Sequence, residues 1–194
     1  MLLYFSLFSI TVTKGIIMRT IILTGFMGAG KSRVGKELAK KLSILYIDTD
    51  KLIEQKSGRK IKDIFKEHGE AYFRELECEV IRGLPVNQSL IISIGGGAIV
   101  NGENLKKLQQ LGIIIWLKVS PQEIYKRLKK ARKKRPLLAL ESVPELEYIE
   151  NITKILLTRE PYYHKADYQI ETDNKTIREI LEELLNIFKE KKWI

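Results

Sequence analysis

Residues 20–32 read TIILTGFMGAGKS and carry the strongest structural signal in the chain. The first five form a short apolar, β-branched run of the kind that favours a buried parallel strand. The other eight, from Gly25 to Ser32, match the pattern G-x-x-x-x-G-K-[ST] in full and stand directly before a helical pattern. A phosphate-binding loop requires this position between a strand and a helix. The stretch therefore predicts a site for a nucleoside triphosphate.

Each part of this loop has an expected task. Glycine lets the backbone wrap closely around a phosphate with its N–H groups pointing inward, and the N-terminus of the next helix adds a partial positive charge. Lys31 is expected to reach the β- and γ-phosphates, and the Ser32 hydroxyl is expected to bind Mg²⁺. The motif alone does not separate a kinase from a GTPase or a motor ATPase. The base-reading motifs, switch loops and catalytic glutamine of the latter two classes are not evident.

Outward from this stretch, helical and strand patterns alternate along the chain. Helices are predicted over residues 31–42, 51–56, 61–67, 71–84, 104–110, 148–159 and 176–191, and one more starts at Pro121. Strands are predicted over residues 20–24, 44–47, 89–94, 112–118 and 168–171. This order predicts an α/β protein with a mainly parallel sheet. Such sheets bind ligands beyond the carboxyl ends of their strands.

The composition is that of one globular domain. The chain has 194 residues, 44% hydrophobic and 30% charged, which excludes collagen, low-complexity disorder and a multi-span membrane protein. Cys78 is the only cysteine and there are two histidines, which excludes a disulfide framework and a Cys/His metal cluster. The formal net charge of +10 favours an anionic partner, such as nucleic acid, acidic lipid or a phosphorylated small molecule.

Residues 1–17 differ from the rest of the chain. They read MLLYFSLFSITVTKGII, an apolar stretch that Ser, Thr, Lys and Gly interrupt. The stretch lacks the length of a transmembrane helix, and it lacks the basic start and the cleavage site of a secretory signal. We therefore expect an N-terminal extension that precedes a start at Met18, and a cytoplasmic protein.

Two carboxylates close the second predicted strand. Asp48 and Asp50 are two residues apart, and positions two apart in a strand face the same way. One carboxylate can help to hold Mg²⁺ through water, and the other can accept a hydrogen bond from an acceptor hydroxyl. The alternative is an acidic loop or a helix cap, because Asp50 precedes a helical stretch.

Two further features suit an anionic small molecule. Arg74 and Glu77 share a helix face, so that Glu77 can orient the guanidinium for bidentate binding of a carboxylate. The alternative there is a surface ion pair. Residues 95–97 are three glycines after a buried strand, which allow a ligand to approach the backbone and offer free N–H donors. The alternative is a plain strand-to-helix loop.

Residues 126–135 contain eight basic residues in ten. Alone, such a run suggests nucleic acid, but the chain shows neither a recognised reader fold nor the aromatic residues that usually accompany one. In a P-loop kinase the same run is a lid that closes over the triphosphate and excludes water. Arg135 is the strongest candidate for its active cation. Arg159 is a second candidate anion clamp, on the helix after the lid.

This ordered set of residues resembles the shikimate kinase family over nearly the whole chain from about Arg19. The resemblance rests on the P-loop, Asp48-x-Asp50, Phe73-Arg74-x-x-Glu77, Gly95-Gly96-Gly97, Arg135-Pro136-Leu137-Leu138 and Arg159-x-Pro161-x-Tyr163. It implies ATP-dependent phosphorylation of the 3-hydroxyl of shikimate, which gives 3-phosphoshikimate and ADP in chorismate and aromatic amino-acid biosynthesis. It also implies a three-layer P-loop kinase fold with a five-stranded parallel sheet. Residues 18–194 would form one domain, with a substrate-binding subdomain at about 50–84 and a mobile lid at about 126–141.

The resemblance also implies a role for each site residue. The catalytic residues would be Lys31, Asp50 and Arg135. ATP would be held by Gly28, Ala29, Gly30, Lys31, Ser32, Arg33, Arg135 and Lys175, with Arg127 or Arg132 on adenine. Shikimate would be bound by Asp50, Arg74, Gly96 and Arg159, beside an apolar wall of Phe65 and Phe73. One Mg²⁺ would be held by Ser32 and, through water, by Asp48.

Other expectations follow from the same resemblance. The partners would be ATP as co-substrate and shikimate, without nucleic acid or membrane, and the protein would be a monomer. Arg33 departs from the family, which has Ser or Thr there, and the arginine could replace the lost phosphate contact by its charge. Two alternatives remain: another small-molecule P-loop kinase such as a gluconate kinase, and a non-catalytic relative that binds nucleotide or nucleic acid.

Overall fold

Five parallel strands form the centre of the computed structural model, which describes residues 19–132 and 144–193, apart from the side chains of 130–132. The strands are β1 (Thr20–Thr24), β2 (Leu45–Asp48), β3 (Leu90–Ser93), β4 (Gly112–Lys118) and β5 (Tyr168–Glu171). Their order across the sheet is β2-β3-β1-β4-β5. The predicted parallel sheet is therefore confirmed. The expectations for residues 1–17 and for Arg135 lie outside the described residues, as does the side chain of Arg132.

Helices cover both faces of this sheet. They are α1 (Lys31–Leu42), α2 (Thr49–Ser57), α3 (Ile61–Arg82), α4 (Gly102–Leu111), α5 (Pro121–Arg132), α6 (Glu145–Tyr163) and α7 (Ile177–Glu190). A short 3₁₀ helix (Ala98–Val100) precedes α4. In the described part of the chain, no helix has the length and apolar character that crossing a membrane requires.

Alternation along β1 divides the core into two layers. Ile21 and Leu23 pack with α1, α5 and α7, whereas Ile22 packs on the opposite face with α3, α4 and α6. Successive side chains of a strand point to opposite faces, so a strand buried on both faces must be apolar at every position of its interior. This requirement explains why the sequence of the central strand shows a continuous apolar run.

A third apolar cluster joins α2 to α3, in the segment predicted as a substrate-binding subdomain. Its buried members are Ile53, Ile64, Phe73, Leu76 and Val80. Gly69, with φ of 80°, interrupts α3 by a kink. The kink explains why two helices, 61–67 and 71–84, are predicted where one bent element is found.

Most predicted boundaries agree with the structure to within one or two residues, but α6 does not. It was predicted over residues 148–159, and it extends from Glu145 to Tyr163, with Pro161 inside it. Tyr163 is fully buried and stacks on Trp116 of β4, with ring centroids 5.3 Å apart. This packing stabilises the last turn, and tertiary contacts of this kind override local helix propensity.

Candidate active site

The P-loop runs from Gly25 to Gly30, between the end of β1 and the start of α1. Gly25 has φ of 137°, and a Cβ atom there would lie 2.5 Å from the carbonyl oxygen of Leu117. Only glycine therefore fits the point where the chain leaves the sheet. The first turn of α1 follows directly, so its unpaired N–H groups face the loop. The strand, the loop and the helix thus follow one another in the order that the motif requires.

Lys31 lies back over this loop. Its Nζ donates hydrogen bonds to the carbonyl oxygens of Gly25, at 2.6 Å, and Phe26, at 3.0 Å. Burial lowers the pKa of Lys31 to about 8, while the carboxylates of Asp50 and Asp48 act in the opposite direction. The structure therefore brings the predicted lysine and both predicted carboxylates into one electrostatic group.

Ser32 and Asp48 meet at the mouth of the loop. The Ser32 hydroxyl donates to Oδ2 of Asp48 at 2.9 Å, and the Tyr46 hydroxyl donates to the same oxygen at 3.0 Å. The Tyr46 ring passes over Gly35 of α1, where a Cβ atom would lie 2.5 Å from the ring. Burial is the main cause that raises the pKa of Tyr46 to about 12. Tyr46 was not predicted as a site residue, although it stands two residues before Asp48 and so shares its side of the strand.

These residues form a donor set that fits Mg²⁺. A serine hydroxyl and one carboxylate are hard oxygen ligands, and Mg²⁺ takes one or two protein ligands together with water and substrate phosphates. Within residues 19–132 and 144–193, no group of three or more His, Cys, Asp and Glu side chains could hold a metal alone. The arrangement therefore suits an ion that arrives with its nucleotide.

Asp50 and Glu77 point at the same glycine. A Cβ atom at Gly95 would lie 2.7 Å from Oε1 of Glu77 and 3.0 Å from Oδ1 of Asp50. Both oxygens are buried, and among the described residues neither has a hydrogen-bond partner. Burial is the main cause that raises the pKa of each carboxyl group. Glycine at position 95 thus leaves room for two desolvated acceptors.

The alternative of a helix cap finds no support at Asp50. The N-cap position of α2 is Asp48, and its side chain makes no capping hydrogen bond. Asp50 lies within the first turn of the helix, with Oδ1 directed to the Gly95 loop. The backbone N–H of Gly95 donates to the buried Thr49 hydroxyl at 3.3 Å, which ties this loop to the start of α2.

Arg74 is fixed by two carboxylates. It donates from Nη1 to Glu77 at 2.9 Å and from Nη2 to Glu70 at 2.8 Å. The Glu77 side chain is 1% exposed, so the pair is not a surface ion pair. The guanidinium lies against Gly97, where a Cβ atom would come within 2.8 Å of its nitrogens. The predicted pair and the glycine run therefore form one unit.

Arg159 and Arg74 both line a cleft of about 540 Å³. The cleft is lined by Glu70, Arg74, Glu77, Cys78, Gly97, Val100, Asn101, Thr158, Arg159 and Tyr162. The Arg159 guanidinium carbon lies 5.6 Å from the centroid of the Phe26 ring, in the P-loop. The cleft is thus adjacent to the phosphate site, and two arginines give it an anion-binding character.

The predicted apolar wall is a contacting pair. The rings of Phe65 and Phe73 have centroids 4.7 Å apart. Phe73 is buried and Phe65 is 39% exposed. Neither ring is among the described residues that line the cleft between α3 and α6, so their role as an apolar wall stays a prediction.

The candidate nucleotide residues lie on the other side of the P-loop. Arg127 of α5 donates from Nη1 to the carbonyl oxygen of Gly28 and to the Thr172 hydroxyl, each at 3.2 Å. Lys175, at the end of the same loop as Thr172, pairs with Glu183 of α7 at 2.5 Å. Arg33 is exposed on α1. Arg127 therefore contacts the P-loop, whereas Lys175 pairs with Glu183 of α7.

A P-loop at the centre of a parallel sheet, joined to an arginine-lined cleft with desolvated carboxylates, defines a P-loop kinase of small molecules. A model of the family "Shikimate kinase" matches residues 27–189. The chain belongs to the shikimate kinase family.

Individual relatives agree with this assignment. The shikimate kinase of Caldanaerobacter subterraneus subsp. tengcongensis is 43% identical over 171 residues, which are 88% of this chain and 96% of that protein. The shikimate kinase of Sulfurihydrogenibium sp. is 43% identical over 172 residues, which are 89% of this chain and 99% of that protein. Among solved structures, shikimate kinase from Acinetobacter baumannii in complex with shikimate has a TM-score of 0.79 and 34% identity, and covers 90% of this chain and 95% of that one. Shikimate kinase from Aquifex aeolicus has a TM-score of 0.73 and 32% identity, and covers 89% and 98%.

Proposed function

We propose that this chain transfers the γ-phosphoryl group of ATP to the 3-hydroxyl of shikimate, giving 3-phosphoshikimate and ADP, as a step in chorismate and aromatic amino-acid biosynthesis. The observation that carries the proposal is the cleft that Arg74 and Arg159 both line, beside the P-loop. Two arginines in one cleft, with the desolvated carboxylates of Glu77 and Asp50 at the adjoining Gly95, suit a small acid that carries hydroxyl groups.

Arg74 and Arg159 are proposed to bind the carboxylate of shikimate. Arg74 cannot swing freely, because Glu70 and Glu77 hold three of its N–H groups. A guanidinium that is already oriented loses less entropy when it binds a carboxylate. Gly96 would add a backbone contact to the substrate. It lies between Gly25 of the P-loop and Tyr163 of α6, the helix that carries Arg159.

Asp50 is the proposed general base. Burial raises the pKa of its carboxyl group, which brings its proton affinity closer to that of a working base near neutral pH. As the 3-hydroxyl oxygen forms its bond to the γ-phosphorus, the bond from that phosphorus to the β,γ-bridging oxygen breaks, and the hydroxyl proton passes to Asp50. ADP leaves with the bridging oxygen.

Lys31 and the P-loop stabilise the charge that develops in this step. The ammonium group is held over the loop by two carbonyl oxygens, from which it can turn to the β- and γ-phosphates. Backbone N–H groups of Gly28, Gly30, Lys31 and Ser32 would hold the remaining phosphate oxygens. The N–H groups of Ala29 and Arg33 donate to the carbonyl oxygens of Phe26 and Gly30. Mg²⁺, when bound through Ser32 and through water on Asp48, supplies charge neutralisation for ATP.

The outer nucleotide contacts follow the same plan. We propose that Arg127 turns from the Gly28 carbonyl and Thr172 to the adenine side of the site, and that Lys175 leaves Glu183 for the base. Arg33 would supply a charge near the phosphates. Arg135 would close over the triphosphate from the lid. We also propose a cytoplasmic monomer that binds neither membrane nor nucleic acid, with residues 18–194 as its single domain.

An assay of ADP release with Mg-ATP tests the proposal. Shikimate should support turnover, and gluconate, a hydroxy acid of a different shape, should not. Turnover with gluconate and none with shikimate would assign the chain to another kinase of this superfamily. If neither shikimate nor gluconate supports ADP release, and the protein retains RNA on a filter at rising salt, the chain would be a nucleic-acid-binding relative.

A further inference from the structure

Tyr163 is among the largest fully buried side chains of the protein, and it carries a polar group into the core. Its hydroxyl donates a hydrogen bond of 2.7 Å to the carbonyl oxygen of Gly96. Its ring stacks on Trp116 with an interplanar angle of 21°. Packing alone would be served as well by phenylalanine, which has no hydroxyl to desolvate. Packing of the core therefore does not explain why this residue carries a hydroxyl.

Gly96 is confined from two sides at this point. A Cβ atom there would lie 2.9 Å from the carbonyl oxygen of Gly25 and 3.5 Å from the Tyr163 hydroxyl. The peptide is thus wedged between the first residue of the P-loop and the end of α6. The orientation of the Gly96 carbonyl also sets the direction of the Gly97 N–H, because the two groups belong to one planar peptide unit. Gly97 lines the cleft.

Arg159 lies one turn earlier on α6, on the same face as Tyr163. Burial raises the pKa of Tyr163, and the Arg159 guanidinium acts against this effect through its charge and a hydrogen bond. A phenolic hydroxyl has one proton to donate and two lone pairs to accept. With its proton given to Gly96, the Tyr163 oxygen can accept from the guanidinium.

We propose that Tyr163 is a positioning residue for acceptor binding, whose hydroxyl sets the Gly96 peptide and the Arg159 guanidinium relative to each other. The inference rests on the proposed function, because Gly96 and Arg159 are two of the groups proposed to hold the shikimate carboxylate. Tyr163 does not touch the substrate, since it lies behind both groups in the core. Its contribution should therefore appear in the binding of the acid and not in that of ATP.

The variant Tyr163→Phe removes the hydroxyl and keeps the ring on Trp116. One net hydrogen bond corresponds to a change of about 2- to 10-fold in an equilibrium constant. We expect KM for shikimate to rise within this range, with KM for ATP unchanged and kcat changed less than about 2-fold. The dissociation constant of shikimate from calorimetry should rise by the same factor as KM.

Two further variants separate the hydrogen bond from packing. Tyr168→Phe, in β5, removes the hydroxyl of a tyrosine whose ring packs against Trp193 away from the cleft, and it should leave both KM values unchanged. Trp116→Phe weakens the stack and keeps the Tyr163 hydroxyl, so it should lower Tm without raising KM for shikimate. If Trp116→Phe raises KM as much as Tyr163→Phe, packing and not the hydrogen bond is responsible, and the inference is wrong.

The remaining outcomes are also decisive. Wild-type enzyme without turnover on shikimate contradicts the proposed function, whereas active wild type with an unchanged KM in Tyr163→Phe contradicts only this inference. If Tyr163→Phe does not fold at the assay temperature, 4-fluorophenylalanine at position 163 replaces it, because its fluorine fills the place of the hydroxyl and cannot donate to Gly96. A KM for shikimate that rises by about 2- to 10-fold supports the inference, and an unchanged KM contradicts it.

Discussion

Arg74 and Glu77 form an ion pair of 2.9 Å in which only the arginine reaches solvent: its side chain is 31% exposed, and that of Glu77 is 1% exposed. The buried carboxylate therefore acts as a fixed point, and the guanidinium extends from it into the cleft. A charge buried at this depth is costly unless it is paired. The arrangement is consistent with orientation of Arg74, since a surface pair would not require burial of Glu77.

Glu77→Gln should hold Arg74 less firmly, while the size of the side chain at position 77 stays nearly the same. The amide accepts a weaker hydrogen bond than the carboxylate, so KM for shikimate should rise by about 3- to 10-fold. Tm should not fall, because burial disfavours the charge that the substitution removes. Steady-state kinetics and calorimetric melting measure both effects. Glu70→Gln removes the exposed partner of the same arginine, and a larger effect there than at Glu77 would contradict this account.

Asp50→Asn should separate catalysis from stability. A positioned general base contributes about 10²- to 10⁴-fold, so kcat should fall within that range. Tm should be unchanged or higher, because the buried Oδ1 has no hydrogen-bond partner among the described residues and burial already raises the pKa of this carboxyl group. Retention of most of the wild-type turnover would show that Asp50 is not the base. A fall in Tm with normal kcat would instead favour a structural role.

Lys31→Met should remove activity and also change how stability depends on pH. Loss of the ammonium should lower kcat by about 10²-fold or more. Burial lowers the pKa of Lys31 to about 8, from 10.5 in the ordinary case. Between these pH values the unfolded chain keeps the proton and the folded protein does not, so wild-type stability rises with pH in that window.

The stability difference between wild type and Lys31→Met tests this sign. As pH rises from 8 to 10.5, the free energy of unfolding of wild type minus that of the variant should increase by up to about 3 kcal/mol. Lys36→Met, on the exposed side of α1, controls for loss of one positive charge from this helix. A difference that is constant with pH, or that shrinks, would contradict a desolvated ammonium at position 31.

Tyr46→Phe should weaken the use of Mg²⁺. Asp48 would keep its contact with Ser32 and lose the 3.0 Å hydrogen bond from Tyr46. Because a ligand that is held less firmly binds metal less well, we expect the Mg²⁺ concentration for half-maximal rate to rise about 2- to 10-fold. KM for shikimate should not change. Equal effects on Mg²⁺ and shikimate would point to a general loosening of the sheet.

Local signals account for what could be predicted well. The strands β1 and β4 and the helix α1 have the predicted bounds, because each is a continuous apolar or periodic run closed by glycine or by a turn. The P-loop is similarly local, since eight consecutive residues contain all its parts. Arg74 and Glu77 stand three residues apart on one helix, so their contact could also be predicted from spacing.

Other predictions depended on a pattern that no single element contains. That Asp48, Asp50, Arg74, Gly96 and Arg159 belong to one site was expected from their resemblance to the motifs of a family. The spacing of these residues along the chain could not predict that they share a site, because the carboxyl ends of parallel strands come together only when the sheet forms. The role of Lys175 stays a prediction from the same resemblance, and in the structure this residue pairs with Glu183.

Residues that are close together in the chain establish the P-loop and the order of helices and strands. They also supply the residue types for an acid, a base and a metal. Which of these side chains are desolvated depends on tertiary packing. Glu77 is buried because α3 packs against the Gly95–Gly97 loop, and Tyr163 donates to Gly96 across 67 residues of chain. Burial and contacts over such separations depend on how whole elements pack, and the pKa of each carboxyl group follows from that packing and not from its neighbours in sequence.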